Sequence, residues 1–190
     1  MGLDLGPGNA LMDDLAMKEL GQPFDEGGMM AASGHVDEEL VKTCLSHDFF
    51  KRKGPKSLDR KGLYELIPHD ALTVLSPEDH MATLAAITGK TIAEGIKLNA
   101  LNTKEIVICG GGSFNPVVIR MIKKYGGEIK VSRMEDFMMD GIGLDSRFIE
   151  AELMAYLAAR SMLDLPITFP ETTGVDEPQS GGVKLRAKFK

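Results

Sequence analysis

Residues 105–132 constrain the chain most. Glu105-Ile106-Val107-Ile108-Cys109 is a short, unbroken apolar run rich in β-branched residues. Its composition predicts a buried strand of a covered sheet. Gly110-Gly111-Gly112 breaks the run, and Asn115-Pro116 has the form of a helix start. Val117, Val118, Met121 and Ile122 then recur at helical spacing until Gly126-Gly127. Residues 128–132 predict a second strand with Ile129 and Val131 on one face. Strand, helix, strand in this order predicts a parallel βαβ unit and places the chain in the α/β class.

Other segments must pack around that unit. The clearest helix start is Ser76-Pro77-Glu78-Asp79: Ser76 as cap, Pro77 at the first helical position, Asp79 reaching back as in a capping box. Met81, Leu84, Ala85, Thr88, Ile92 and Ile96 carry the pattern for about five turns. Gly89 and Gly95 interrupt it, each at roughly 1 kcal/mol of helix propensity. Close approach of another element is the expected compensation. Near the N-terminus, Leu3 to Leu5 predict the end of a strand and Gly6-Pro7-Gly8 a turn. Asn9 is the expected cap of a helix carrying Leu11, Met12, Leu15, Ala16 and Leu20, with Gly21 as its stop. Residues 21–35 predict loop, and 37–47 a helix with Leu40, Val41, Cys44 and Leu45 buried. The basic stretch 51–57 is either a solvated loop or one that presents cations to a substrate. A last helix is expected over Ser146 to Leu163, its face formed by Ile149, Leu153, Tyr156 and Leu157. Beyond Thr172 the chain predicts poor order.

With 190 residues and 43% hydrophobic content, the chain suits one domain or one lobe of a two-lobed protein. A net charge of −6 argues against general nucleic-acid binding. Lys184, Arg186, Lys188 and Lys190 are expected to form a frayed tail rather than a binding arm. Cys44 and Cys109 have no zinc-ligand spacing and predict buried thiols in a reducing compartment. His35, His47, His69 and His80 show no metal spacing and predict surface residues. No metal ligand is nominated. No apolar stretch approaches ~20 residues, so no membrane span is expected. No secretory pattern opens the chain, and the expected location is cytoplasmic.

Three places carry chemistry. Glycines that end a strand and open a helix aim backbone N–H groups at one point, which suits a nucleotide. A tight packing turn without a ligand fits the same residues. Asp4, a lone carboxylate before a glycine turn, suits proton abstraction or the orientation of Mg²⁺ on phosphates, and equally a local cap. Asp13 is expected to face solvent or cap locally. Glu150, at the start of the last helix, suits sugar hydroxyls or simple exposure.

The run Asp4-Leu5-Gly6-Pro7-Gly8-Asn9-Ala10-Leu11-Met12-Asp13 resembles the DTGPGNxLMD signature of anhydro-N-acetylmuramic acid kinases. Further segments resemble that family in the same order: Ala31-Ala32-Ser33-Gly34, Pro55-Lys56-Ser57 with Arg60, Cys109-Gly110-Gly111-Gly112 with Asn115-Pro116, the helix Glu150-Ala151 through Arg160, and Thr173-Gly174. Leu5 stands where the family has threonine, and Leu58-Asp59-Arg60 replaces its Thr-Gly-Arg. The segment before Glu150 also lacks the family's aspartate.

The resemblance implies an actin-like or hexokinase-like ATPase (ribonuclease H-like) fold, with a mixed sheet and packed helices. It implies ATP and Mg²⁺ as cofactors and a sugar substrate; the charge and the lack of an apolar span predict no nucleic acid or membrane partner. The implied activity is phosphorylation of anhydro-N-acetylmuramic acid with hydrolytic opening of its 1,6-anhydro ring, giving N-acetylmuramic acid 6-phosphate for cell-wall recycling. Asp4 would be the general base. Gly6, Gly8, Asn9, Gly110, Gly111, Gly112 and Asn115 would contact the nucleotide, and Glu150 the sugar. Family members are about twice as long, and their N-terminal lobe grips the phosphates with a Gly-Thr-Ser-x-Asp-Gly loop that this sequence lacks. Residues 1–175 are therefore expected to form a C-terminal kinase lobe and 176–190 a flexible tail, with a separate N-terminal lobe or a homodimer as partner. The chain would be a truncated gene, a fragment or half of a split enzyme. A non-catalytic nucleotide-binding or interaction module derived from that lobe is the alternative.

Overall fold

The computed structural model describes residues 2–67, 69–100, 102–139, 142–143, 145–146 and 148–185. The chain divides into two compact units. Leu5–Lys53 with Leu58–Ser146 form the larger, and Met1–Asp4, Gly54–Ser57 and Arg147–Lys190 the smaller.

The larger unit contains α1 (Ala10–Leu20), α2 (Met29–Ser33), α3 (Glu38–Leu45), α4 (Asp48–Lys51), α5 (Arg60–Leu66), α6 (His69–Leu72) and α7 (Pro77–Asn99). After these come β1 (Glu105–Ile108), α8 (Pro116–Gly126), β2 (Lys130–Arg133), β3 (Met138–Met139) and β4 (Ile142–Gly143). Its axis is α7. Ser76 Oγ accepts the Asp79 N–H at 3.1 Å, and Pro77 occupies the first turn. Met81, Leu84 and Ile87 are fully enclosed, each contributing roughly 1.5–3 kcal/mol of burial. Helices α1, α2, α3 and α8 pack around them. The two helix glycines have the expected cause. A Cβ on Gly89 would stand 2.6 Å from Met121 Cβ and 2.7 Å from its carbonyl carbon, so α8 lies directly on α7 there. A Cβ on Gly95 would collide with Leu5.

The predicted βαβ unit is present: β1 and β2 pair in parallel, Glu105 opposite Lys130 through Ile108 opposite Arg133. The expected covered strand is not. Val107 is 42% exposed, while Ile106 and Ile108 reach the core. Alternate residues point to opposite faces, and only one face of this pair is covered by α8.

Several local expectations also change. Leu3 to Leu5 form no strand. Asp79 does not close a capping box; its Oδ1 accepts the His35 N–H at 2.6 Å, which holds the carboxyl below its ordinary value. Asn9 makes no side-chain cap, and its Nδ2 donates instead to Asp13 Oδ2 at 2.6 Å. Residues 21–35 are not all loop. Buried Asp25 accepts the N–H groups of Met30 and Ala31 at 2.9 and 3.0 Å and so organises a 3-10 turn and α2. Cys44 is buried, and desolvation pushes its thiol up to about 12, but Cys109 is exposed at the end of β1.

The smaller unit contains α9 (Ile149–Met162) and α10 (Pro170–Thr173). Ser146, expected to begin the last helix, instead donates its hydroxyl to Glu135 within the larger unit. The predicted buried face of α9 is not buried. Leu153 is 48% exposed and Tyr156 57%, and no described residue of the helix is enclosed. The physical reason is that, among its described residues, this unit buries only Lys56 and has no apolar core to receive them. Thr168 bridges to Gln179, so part of the C-terminal segment is paired. Lys184 is exposed; Arg186, Lys188 and Lys190 lie outside the described residues. So do the side chains of Arg60 and His69. His35 and His47 are exposed and His80 is half-buried. Among the described residues, no helix is long and apolar enough to cross a membrane.

Candidate functional site

The nominated residues other than Glu150 fall in two places, one in each unit. In the larger unit the two glycine turns meet. Gly8 takes a positive φ of 56° and its carbonyl accepts the Thr88 hydroxyl of α7 at 2.6 Å. Gly6 abuts Thr91 so closely that a Cβ there would overlap the threonine side chain. These contacts pin the first turn to α7 and carry Asn9 to the second turn. A Cβ on Gly112 would stand 3.7 Å from Asn9 Oδ1, and one on Gly111 3.9 Å from Asn9 Nδ2. Segments a hundred residues apart are thus brought side by side.

The second turn leaves β1 through Gly110, whose φ of 81° suits glycine. Its carbonyl accepts the Ser113 N–H at 3.0 Å and the Ser113 hydroxyl at 2.7 Å, closing a 3-10 turn. Open space surrounds the position where a Gly110 Cβ would stand. Asn115 Oδ1 accepts the N–H groups of Val117 and Val118 at 3.0 and 3.3 Å and caps α8. That oxygen is engaged in the fold, which is the capping role its sequence position predicts. The open space at Gly110 and the missing side chains at Gly111 and Gly112 fit a nucleotide lying against bare backbone.

In the smaller unit, Asp4 is exposed and lines an open cavity of about 530 Å³. Its N–H donates to the Lys56 carbonyl at 2.8 Å, and Gly2 N–H to the Thr172 carbonyl at 2.9 Å. These two backbone hydrogen bonds join residues 2–4 to 55–57 and to 172–174 around one space. Gly174 takes a φ of 72° and approaches Pro55, where a Cβ would stand 2.8 Å from Cγ. Glu150 is exposed in the first turn of α9 and is absent from the cavity wall. Among the described residues, no group of three acidic, histidine or cysteine side chains is arranged to hold a metal ion.

The family model described as anhydro-N-acetylmuramic acid kinase matches residues 1–187. The chain belongs to the anhydro-N-acetylmuramic acid kinase family. It is 39% identical over 186 residues to a protein of that name from Methylobacterium nodulans, covering 98% of this chain and 47% of the relative. It is 38% identical over 183 residues to one from Nitrobacter winogradskyi, covering 96% of the chain and 48% of the relative. An anhydro-N-acetylmuramic acid kinase 2 from Jannaschia is 38% identical over 180 residues, covering 94% and 45%. The chain spans about half the length of the curated relatives it matches.

Within this family member, two neighbours of Asp4 were not nominated from sequence. Lys56 is enclosed at 8% exposure, and Ser57 stands beside it on the cavity wall. Their signal was the Pro55-Lys56-Ser57 segment, which sequence alone leaves open between a solvated and a substrate-facing loop.

Proposed function

We propose that residues 1–175 are the C-terminal lobe of an actin-like, hexokinase-like sugar kinase, with residues 176–190 as a tail tied at Gln179. The lobe acts on anhydro-N-acetylmuramic acid in cytoplasmic amino-sugar recycling. The observation that carries this reading is the meeting of Asn9 with Gly111 and Gly112, seen in a chain whose match to the kinase family runs over residues 1–187.

In this reading Gly110, Gly111 and Gly112 present backbone to the adenosine end of ATP, and Gly6, Gly8 and Asn9 form the facing wall. ATP supplies the phosphoryl group when bound, and Mg²⁺ accompanies its phosphates. Asp4 takes a proton from the water that attacks C1 of the anhydro-sugar. The C1–O6 bond breaks, O6 bonds to the γ-phosphorus as the bond from that phosphorus to the β-phosphate oxygen breaks, ADP leaves, and the water's proton stays on the Asp4 carboxyl until release. Glu150 orients the sugar. Backbone pairing of Asp4 with Lys56 fixes the aspartate main chain, so a general-base role requires little reorganisation there. The grip on the transferred phosphoryl group, which supplies most of the catalysis in such enzymes, comes from the half of the relatives' length that this chain does not span.

The apolar surface of α9 favours a second reading, a non-catalytic interaction module. Supplying the N-terminal half of the Methylobacterium nodulans relative as a separate chain separates the two. The kinase reading expects ADP and a phosphorylated, ring-opened sugar from the mixture. ATP binding without product supports the module. Absence of both ATP binding and product overturns the kinase reading.

A further inference from the structure

An open groove of about 390 Å³ adjoins the second glycine turn, within the larger unit. Its wall comes from Ser113 and Phe114, from Pro116, Arg120 and Lys123 of α8, and from Arg133 at the C-terminal end of β2. The groove thus sits beyond the carboxyl ends of two parallel strands, where open α/β sheets place ligands.

Its charge is unlike that of the rest of the chain. The protein carries −6, yet three cations and no carboxylate line this space. Arg120 and Lys123 are three residues apart on one face of α8. Among the described residues, neither has an acidic group within 4.0 Å, whereas neighbouring Lys124 is paired with Glu38 at 2.6 Å. Arg133 is held in place: its guanidinium lies 5.6 Å from the Phe114 ring centre, and its Nε is 3.7 Å from Glu135 Oε2. Its own N–H donates to Asp136 Oδ2 at 2.9 Å. Two cations without acidic partners thus stand beside a guanidinium that is already paired with Glu135 and held in place by it.

We infer that the groove bounded by Phe114, Arg120, Lys123 and Arg133 binds a dianionic phosphate group, at a site separate from the proposed nucleotide site. Gly6, Gly8, Asn9, Gly110, Gly111 and Gly112 are all absent from the groove wall, while Gly111 and Gly112 approach Asn9. Ser113 links the two sites, because its N–H and hydroxyl both bind the Gly110 carbonyl. Occupancy of the groove therefore holds the turn that the nucleotide is proposed to use. The phosphate comes either from free orthophosphate or from a sugar phosphate whose body rests on Phe114.

The full chain is titrated at low salt with orthophosphate and, separately, with glucose 6-phosphate, following NMR shifts of the Phe114 amide and the Arg133 Nε–H. Saturable binding is expected, weakened at least tenfold in Arg120→Gln/Lys123→Gln. It should change less than twofold in Lys42→Gln/Lys51→Gln, which removes two exposed cations elsewhere. Circular dichroism of each variant checks folding. Tighter binding of glucose 6-phosphate, lost in Phe114→Ala, assigns a sugar phosphate; equal binding assigns orthophosphate. Non-saturable shifts, equal loss in both double variants, or displacement of phosphate by adenosine overturns the inference. Failure of ATP to bind while phosphate still fills the groove counts against the nucleotide reading and leaves this one standing.

Discussion

The two units of this chain were built from equally apolar sequence and meet opposite fates. In the larger, residues 81–89 of α7 are all buried, and Gly89 is used for contact with α8. In the smaller, α9 carries Leu153, Met154, Tyr156 and Met162 into solvent, and Lys56 is the sole buried residue among those described. The difference teaches that the larger unit holds its own core, whereas the smaller unit, among its described residues, leaves the apolar side chains of α9 in solvent.

That contrast is easily broken. Leu84→Ala in α7 should destabilise the chain by about 2–5 kcal/mol, because it removes a fully enclosed side chain. Leu153→Ala in α9 should change stability by no more than about 0.5 kcal/mol, as for other exposed positions. Denaturant midpoints of the two variants test the pair. Equal losses would mean that α9 is buried in solution and the contrast is false.

The thiols sharpen the comparison within the larger unit. In the folded chain Cys109 should react with a thiol reagent and Cys44 should not, while both react after unfolding. The Cys44 thiol is raised in the fold, so its neutral form is the one the core favours. Its contribution is complete below the unfolded value and is lost as pH climbs from about 9.0 towards about 12. Cys44→Ala should show a shallower alkaline loss of stability than the wild type. An identical slope would place Cys44 in contact with water.

The legible parts of the fold were those with local chemistry. Ser76-Pro77 and Asn115-Pro116 announce their helices because cap and proline act within one turn. The βαβ unit was readable because its periods change sharply at glycines. Residues 21–35 were unreadable because Asp25 acts on N–H groups five and six residues ahead, across glycines that look like loop. The burial of α9 was misjudged for a different reason. Spacing shows which residues favour burial, not whether a core is present to receive them. Asn9, Asp4 and the glycines were named through resemblance, and the meeting of Asn9 with Gly111 and Gly112 came from packing: Thr88 and Thr91 of α7 position the first turn, which no local pattern encodes. Lys56 escaped because a lysine in a basic run resembles a solvated one.

The central claim is that Asp4 is the base of a sugar kinase. It is tested most directly by comparing wild type and Asp4→Asn, each supplied with the N-terminal half of the Methylobacterium nodulans relative, for turnover of anhydro-N-acetylmuramic acid at saturating ATP. The account predicts that kcat falls by roughly 10²–10⁴-fold while ATP affinity is kept. Near-normal turnover by Asp4→Asn would contradict it.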